Sequence, residues 1–145
     1  MADPNLAILK PVVVLVAWTI VMLVWLIATR MPAMKAAGVD LGRLIGGKGS
    51  DADGVLPAKA QWKAHNHNHL MEQPTLFYAI AITLVLIGQG GGINAGIAWA
   101  YVGLRILHSL VQATWNRVAV RFTFFMLATL ALVALTLHAA IALFG

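Results

Sequence analysis

HNHNHLMEQPTLFYAIAITLVLIG, residues 65–88, changes character halfway along. Its first part holds three histidines, two asparagines and Glu72; from Pro74 onward it is almost wholly Leu, Ile, Val, Ala and aromatic. A single helix accounts for both parts if it starts in water near Pro57, runs through Trp62 and enters a membrane near Pro74. Three more apolar stretches accompany the Pro74–Gly88 one: Leu6–Ala28, Ile93–Leu110 and Phe122–Phe144. A crossing needs about 20 apolar residues. The first and last stretches meet that length, and the middle two reach it when polar-ended turns extend them.

Composition supports this reading. Hydrophobic residues make up 61% and charged residues 10% of 145 positions, which excludes an ordinary soluble domain. Four crossings consume most of the chain, so one domain is predicted, with spans at about 6–29, 62–88, 93–115 and 118–144. Between the first two lies a loop at about 31–58, rich in Gly and Asp, with Met31-Pro32 expected to end the first helix. The predicted fold class is therefore all-α integral membrane, with four transmembrane helices.

Six of the ten Lys and Arg residues lie between Arg30 and Lys63, and Arg105, Arg117 and Arg121 flank the third connection. The positive-inside rule places both basic connections in the cytoplasm and both termini outside, as in a multi-pass protein of an inner or plasma membrane. The N-terminal stretch is expected to remain as a span, since no basic region precedes it and no A-x-A site follows it. The basic balance reflects topology, and no nucleic-acid partner is expected. With no cysteine, a disulfide framework and a Cys nucleophile are excluded, so any thiol chemistry must use a substrate's thiol.

The polar residues converge at the cytoplasmic ends of the stretches, and ionisable groups near hydrocarbon are costly enough to mark a site. Arg105, His108 and Gln112, spaced i, i+3, i+7, share a helix face and form a cationic wall; the plainer reading is a snorkelling Arg105 beside a hydrogen-bonded His108. Asn68 and Glu72 stand at i, i+4. Glu72 needs a cation or a hydrogen-bonding ligand, and Arg105 and Arg121 are its natural partners. His65, His69 and Glu72 share a face that could offer a metal two imidazoles and a carboxylate. A polar stretch at headgroup level explains them more simply, so no metal is assigned. Arg117 is read as an anchor, whereas Arg121 can reach inward beside a helix N-terminus. Gly42-x4-Gly47-Lys48 lacks the Ser or Thr of a phosphate loop and is set aside. His138 and Thr136 are expected to be satisfied within the bundle, and Trp18, Trp25 and Trp99 to pack or meet lipid.

His65-Asn-His-Asn-His-Leu-Met-Glu72-Gln-Pro74-Thr-Leu-Phe77, then Arg105-Ile-Leu-His108-Ser109, then Asn116-Arg117-x3-Arg121, resembles in order and spacing the MAPEG family, the membrane-associated proteins in eicosanoid and glutathione metabolism. The resemblance covers nearly the whole chain. It implies a left-handed four-helix bundle assembled as a homotrimer, with glutathione as cosubstrate in each interface near the cytoplasmic side. Carried over by position, Asn68 and Glu72 hold the peptide part and Arg105 supports the site. His108 lines it, Arg121 holds the sulfur as thiolate, and Arg30 contributes from a neighbouring subunit. This chain departs from the pattern at Gln112, which stands one turn after His108 where many members have Tyr, and at Phe125, which replaces another Tyr. Asn68 precedes Glu72 by four residues rather than three, and His67 replaces the Arg before it. The implied activity is a glutathione transferase or peroxidase acting on small apolar electrophiles that arrive through membrane lipid. The alternative is a non-enzymatic MAPEG-fold protein that binds lipid or an amphipathic anion, or an accessory subunit of a membrane assembly; Gln112 and Phe125 support it. A His/Glu metal enzyme is a third reading.

Overall fold

The computed structural model describes residues 3–145. These form four α-helices and no strand: α1 (Leu9–Ala36), α2 (Ala58–Leu86), α3 (Gly92–Thr114) and α4 (Val118–Phe144). A short 3₁₀ turn, Pro4–Ile8, leads into α1, and another, Gly49–Gly54, lies in the α1–α2 loop. The bundle is centred on α3, which packs against all three other helices, whereas α1 and α4 do not pack on each other.

Three stretches, Pro4–Ala36, Ala58–Leu86 and Val118–Phe144, are long and apolar enough to cross a membrane. With 23 residues, α3 has the length, about 34 Å at 1.5 Å per residue. It is less apolar because it carries Asn94, Arg105, His108, Ser109 and Gln112, all of which it buries inside the bundle. The outer faces are the reverse: Val13, Ile20, Val24, Leu130, Leu137 and Ile141 are all exposed, the pattern of a surface meant for lipid or other apolar neighbours.

Small side chains let the helices approach closely. Ala81, Ala95, Ala98, Ala113, Ala128 and Ala139 are buried at the helix contacts, as expected where lipid removes the hydrophobic drive and packing must hold helices together. Phe77 of α2 stacks on Tyr101 of α3, centroids 4.4 Å apart.

Met31-Pro32 does not end the first helix, which continues to Ala36. Pro32 forgoes only its own N–H bond, close to the helix end. The stop is Gly38, whose φ of 71° suits a residue without a Cβ. There the Val39 N–H returns to Met34 O and the Gly38 N–H to Lys35 O, so the last carbonyls are satisfied.

At the opposite end the 3₁₀ turn is tied to the α2–α3 connection. Asn5 donates to Val85 O (2.9 Å) and accepts from the Gly90 N–H (2.7 Å). A Cβ on Gly90 would collide with Asn5 O and Val85 Cγ2, so this close approach requires glycine.

Candidate functional site

The α3–α4 connection builds one wall of a cleft. Asn116 takes a φ of 51°, a left-handed geometry that asparagine tolerates better than most residues. Its N–H and that of Trp115 both return to Val111 O, closing α3 and turning the chain sharply into α4. From that turn the Asn116 Oδ1 accepts from Arg121 Nη1 at 2.7 Å. The guanidinium is thereby fixed at the start of α4.

Arg121 lines a cleft of about 300 Å³ together with His69, His108, Gln112, Val118, Phe122 and Phe125. The rings of His69 and His108 lie 4.8 Å apart, and Phe125 is 5.5 Å from His69. His108 and Gln112 are buried, yet His108 Nδ1 and Gln112 Oε1 have no hydrogen-bond partner. Buried polar atoms are normally satisfied, so two orphans on one cleft wall are groups available to a ligand.

One turn deeper, Arg105 is fully buried. It donates to His69 O (3.0 Å) and Gln73 Oε1 (3.4 Å), and its Nε has no partner. No carboxylate pairs with it among the described residues. Gln73 is the hub of this layer. Beyond Arg105 it accepts weakly from the Tyr101 hydroxyl (3.5 Å) and donates to Thr129 Oγ1 (2.8 Å), joining α2, α3 and α4. A second junction centres on Ser109, whose hydroxyl oxygen accepts from Trp18 Nε1 (3.0 Å) and Asn66 Nδ2 (2.6 Å). Polar contacts between membrane helices are worth about 0.6 kcal/mol on average. Their main effect here is to set rotation and register.

Of the residues singled out in the sequence, Arg121, His108 and Gln112 are brought together, with Arg105 behind them. Asn68 and Glu72 are exposed on α2 and do not line the cleft. The expected pairing of Glu72 with Arg105 or Arg121 is not made. Glu72 meets its own helix neighbour instead, His69 Nδ1 at 3.1 Å, while Arg105 donates to His69 O and Gln73 Oε1. Arg30, expected to serve a neighbouring subunit's site, donates within its own chain to Gly49 O of the α1–α2 loop at 2.6 Å.

His65 donates to Asp53 (2.9 Å) rather than joining His69 and Glu72. No group of three or more His, Asp or Glu among the described residues is placed to hold a metal. Asp53 also accepts from Gln61, and this bond, followed by that from His65, holds its carboxyl below the usual range. Asp53 thus fastens the loop to the first turns of α2. At the far end of the bundle His138 pairs with Asn94 at 2.6 Å, and Thr136 bonds Leu132 O.

Sequence reasoning missed His69 as a cleft residue, and missed Asn66, Gln73 and Ser109 altogether. The signal lay in the phase of α2: Asn66, Leu70, Gln73 and Phe77 follow helical spacing, and the buried members of that stripe set which polar groups turn inward.

An all-helical bundle with an apolar exterior and a cationic cleft at one end defines a multi-pass membrane protein with a polar site near the ends of its helices. The model of the MAPEG family matches residues 8–141, nearly the whole chain, and the protein belongs to that family. No curated protein and no solved structure matches it.

Proposed function

We propose that the protein is a glutathione-dependent transferase or peroxidase, working as a homotrimer of subunits that each cross the membrane four times. The observation that carries this reading is the cleft itself: Arg121, the orphaned His108 Nδ1 and Gln112 Oε1, and the carboxylate-free Arg105 behind them. The two guanidiniums favour an anion, while Gln112 Oε1, an acceptor, suits a donor such as a peptide N–H. Asn68 and Glu72, exposed on α2, are available to hold the peptide part of a glutathione that bridges to a neighbouring copy. His69 stands three residues before Glu72, the spacing at which related proteins carry Asn, and faces the cleft.

Arginine keeps its proton, so Arg121 is a permanent counter-charge that favours thiolate over thiol. In a transfer, the thiol proton leaves to solvent and the thiolate sulfur forms a bond to the electrophilic carbon as the leaving group departs with its electron pair. In the peroxidase variant, two glutathiones reduce a hydroperoxide to alcohol and water and become the disulfide. Phe122 and Phe125 give the electrophile an apolar wall.

The basic loop end is the cytoplasmic end, with both termini across an inner or plasma membrane. The fourth crossing is α3, whose polar residues turn inward and leave an apolar outer face. Titrating purified protein with glutathione while following thiolate ultraviolet absorbance tests the proposal. The wild type is expected to generate thiolate and Arg121→Leu to abolish it. Phe125 and Gln112, which supply no phenol to the cleft, favour a second reading as a binder of lipid or an amphipathic anion, or an accessory subunit. Absence of glutathione binding by the wild type at millimolar concentration selects that second reading.

A further inference from the structure

A second cavity, of about 560 Å³, lies under the α1–α2 loop and shares no residue with the cleft. Its apolar wall includes Met34, Leu41, Leu44 and Leu56, and its cations are Arg30 and Lys48. Leu56 is buried at the floor, while Leu41 and Leu44 are half-exposed at the mouth. Beside them Ile45 is 99% exposed, in a loop that joins two long apolar helices and so lies against the membrane boundary. The mouth is therefore within reach of molecules dissolved in lipid.

The charges decide what fits. Arg30 uses one N–H on Gly49 O, and a guanidinium has five such donors, so a fork remains for a ligand. The one acidic side chain lining the cavity is Asp51, whose Oδ2 already accepts the Lys48 backbone N–H at 2.6 Å. Nearby Asp53 is occupied by Gln61 and His65. Two cations against one committed carboxylate leave a net positive charge at one side of an apolar chamber. Its volume is within the common range of small-molecule sites.

We infer that this loop cavity binds a long-chain fatty-acid anion, its carboxylate on the free N–H groups of Arg30 and its acyl chain along Met34, Leu41, Leu44 and Leu56. Lys48 adds long-range attraction. The loop then closes over a lipid-derived ligand at the membrane boundary.

The test uses a fluorescent polyene fatty acid added to purified full-length protein in detergent, with displacement by unlabelled oleate. The wild type is expected to bind saturably, one per chain. Its affinity for the methyl ester of the same acid should be about tenfold lower, the size of a lost charge-assisted hydrogen bond. Arg30→Gln should lower affinity for the acid by a similar factor. Gly49→Leu should also block binding, since a Cβ there already stands 3.5 Å from Arg30 Nη1 and the longer side chain fills the space beside it. Arg121→Leu, expected to abolish the thiolate signal, should leave fatty-acid binding unchanged because the two sites share no residue, which separates failure of this inference from failure of the glutathione reading. Equal binding of acid and ester by the wild type overturns the proposal whatever the variants do. So does displacement of the probe by an equimolar diacyl phospholipid, which would make the cavity a site for bulk lipid.

Discussion

The buried guanidinium of Arg105 is bonded to the backbone carbonyl of His69, at 3.0 Å, and not to the carboxylate of Glu72 three residues further along the same helix. The charge is therefore held by neutral dipoles, and Glu72 is left at the exterior with 70% of its side chain exposed. A buried ion without a counter-ion is poorly stabilised. A buried guanidinium without a counter-ion is consistent with the anionic ligand proposed above.

Arg105→Met should accordingly fold, with thermal stability in detergent equal to or above that of the wild type, because an apolar group of similar length removes the desolvation cost. Glutathione binding should fall by about tenfold or more, the loss of one favourable charge. Glu72→Gln should leave stability within about 0.5 kcal/mol, as for other exposed positions. Marked destabilisation by Glu72→Gln in thermal melts would show a structural pairing instead.

Asn116 controls Arg121 in two ways, through a left-handed turn and through its side-chain carbonyl. Asn116→Gly should preserve the turn but release the guanidinium, lowering thiolate formation while the melting temperature stays close to that of the wild type. Asn116→Ala should impose the strain as well, about 1–2 kcal/mol. Gln112 can only exchange hydrogen bonds, so Gln112→Ala should weaken glutathione binding by about 1–2 kcal/mol without removing the thiolate signal. Parallel melts and ultraviolet titrations of the three variants distinguish these effects.

The helical membrane character was legible in the sequence because apolar runs and basic connections are long, additive signals. The family was legible because Glu72, Arg105, His108 and Arg121 keep their order and spacing. Rotation was harder. Which of Asn66, Asn68 and His69 turns inward depends on the phase of α2, and five polar residues in a row carry no apolar stripe to reveal it. The stop at Gly38 was obscured by Pro32, a stronger breaker in water than near the end of a long apolar helix. Trp18 was read as packing because its partner, Ser109, is 91 residues away.

The Asp53 latch should be sensitive to acid. Its carboxyl sits below the ordinary value of 3.8, mainly through Gln61 and then His65. A depressed carboxyl contributes above its unfolded value, and that contribution is lost as pH falls through the lower folded value. The loop should therefore stay fastened at neutral pH and loosen only below about 3.8. Limited acid-protease cleavage of the 37–57 loop should rise in that window, and Asp53→Asn should be cleaved readily without needing the acid step. A wild-type cleavage rate that is flat across the same window would refute the latch.

The orientation proposed here can be read directly, because the natural chain has no cysteine. Gly54 lies in the α1–α2 loop with nothing within 4 Å of an added Cβ. Gln89 is exposed in the α2–α3 connection at the opposite end. Both positions accept a cysteine without repacking. Eight of the ten Lys and Arg residues lie in the connections on the Gly54 side or in the helix ends adjoining them, and moving that charge outward across a membrane is strongly disfavoured during insertion. In intact cells an impermeant maleimide should label Gln89→Cys, while Gly54→Cys should react only after the membrane is opened. The reverse pattern would place the cationic cleft outside the cell, away from cytosolic glutathione, and would remove the main support for a glutathione enzyme.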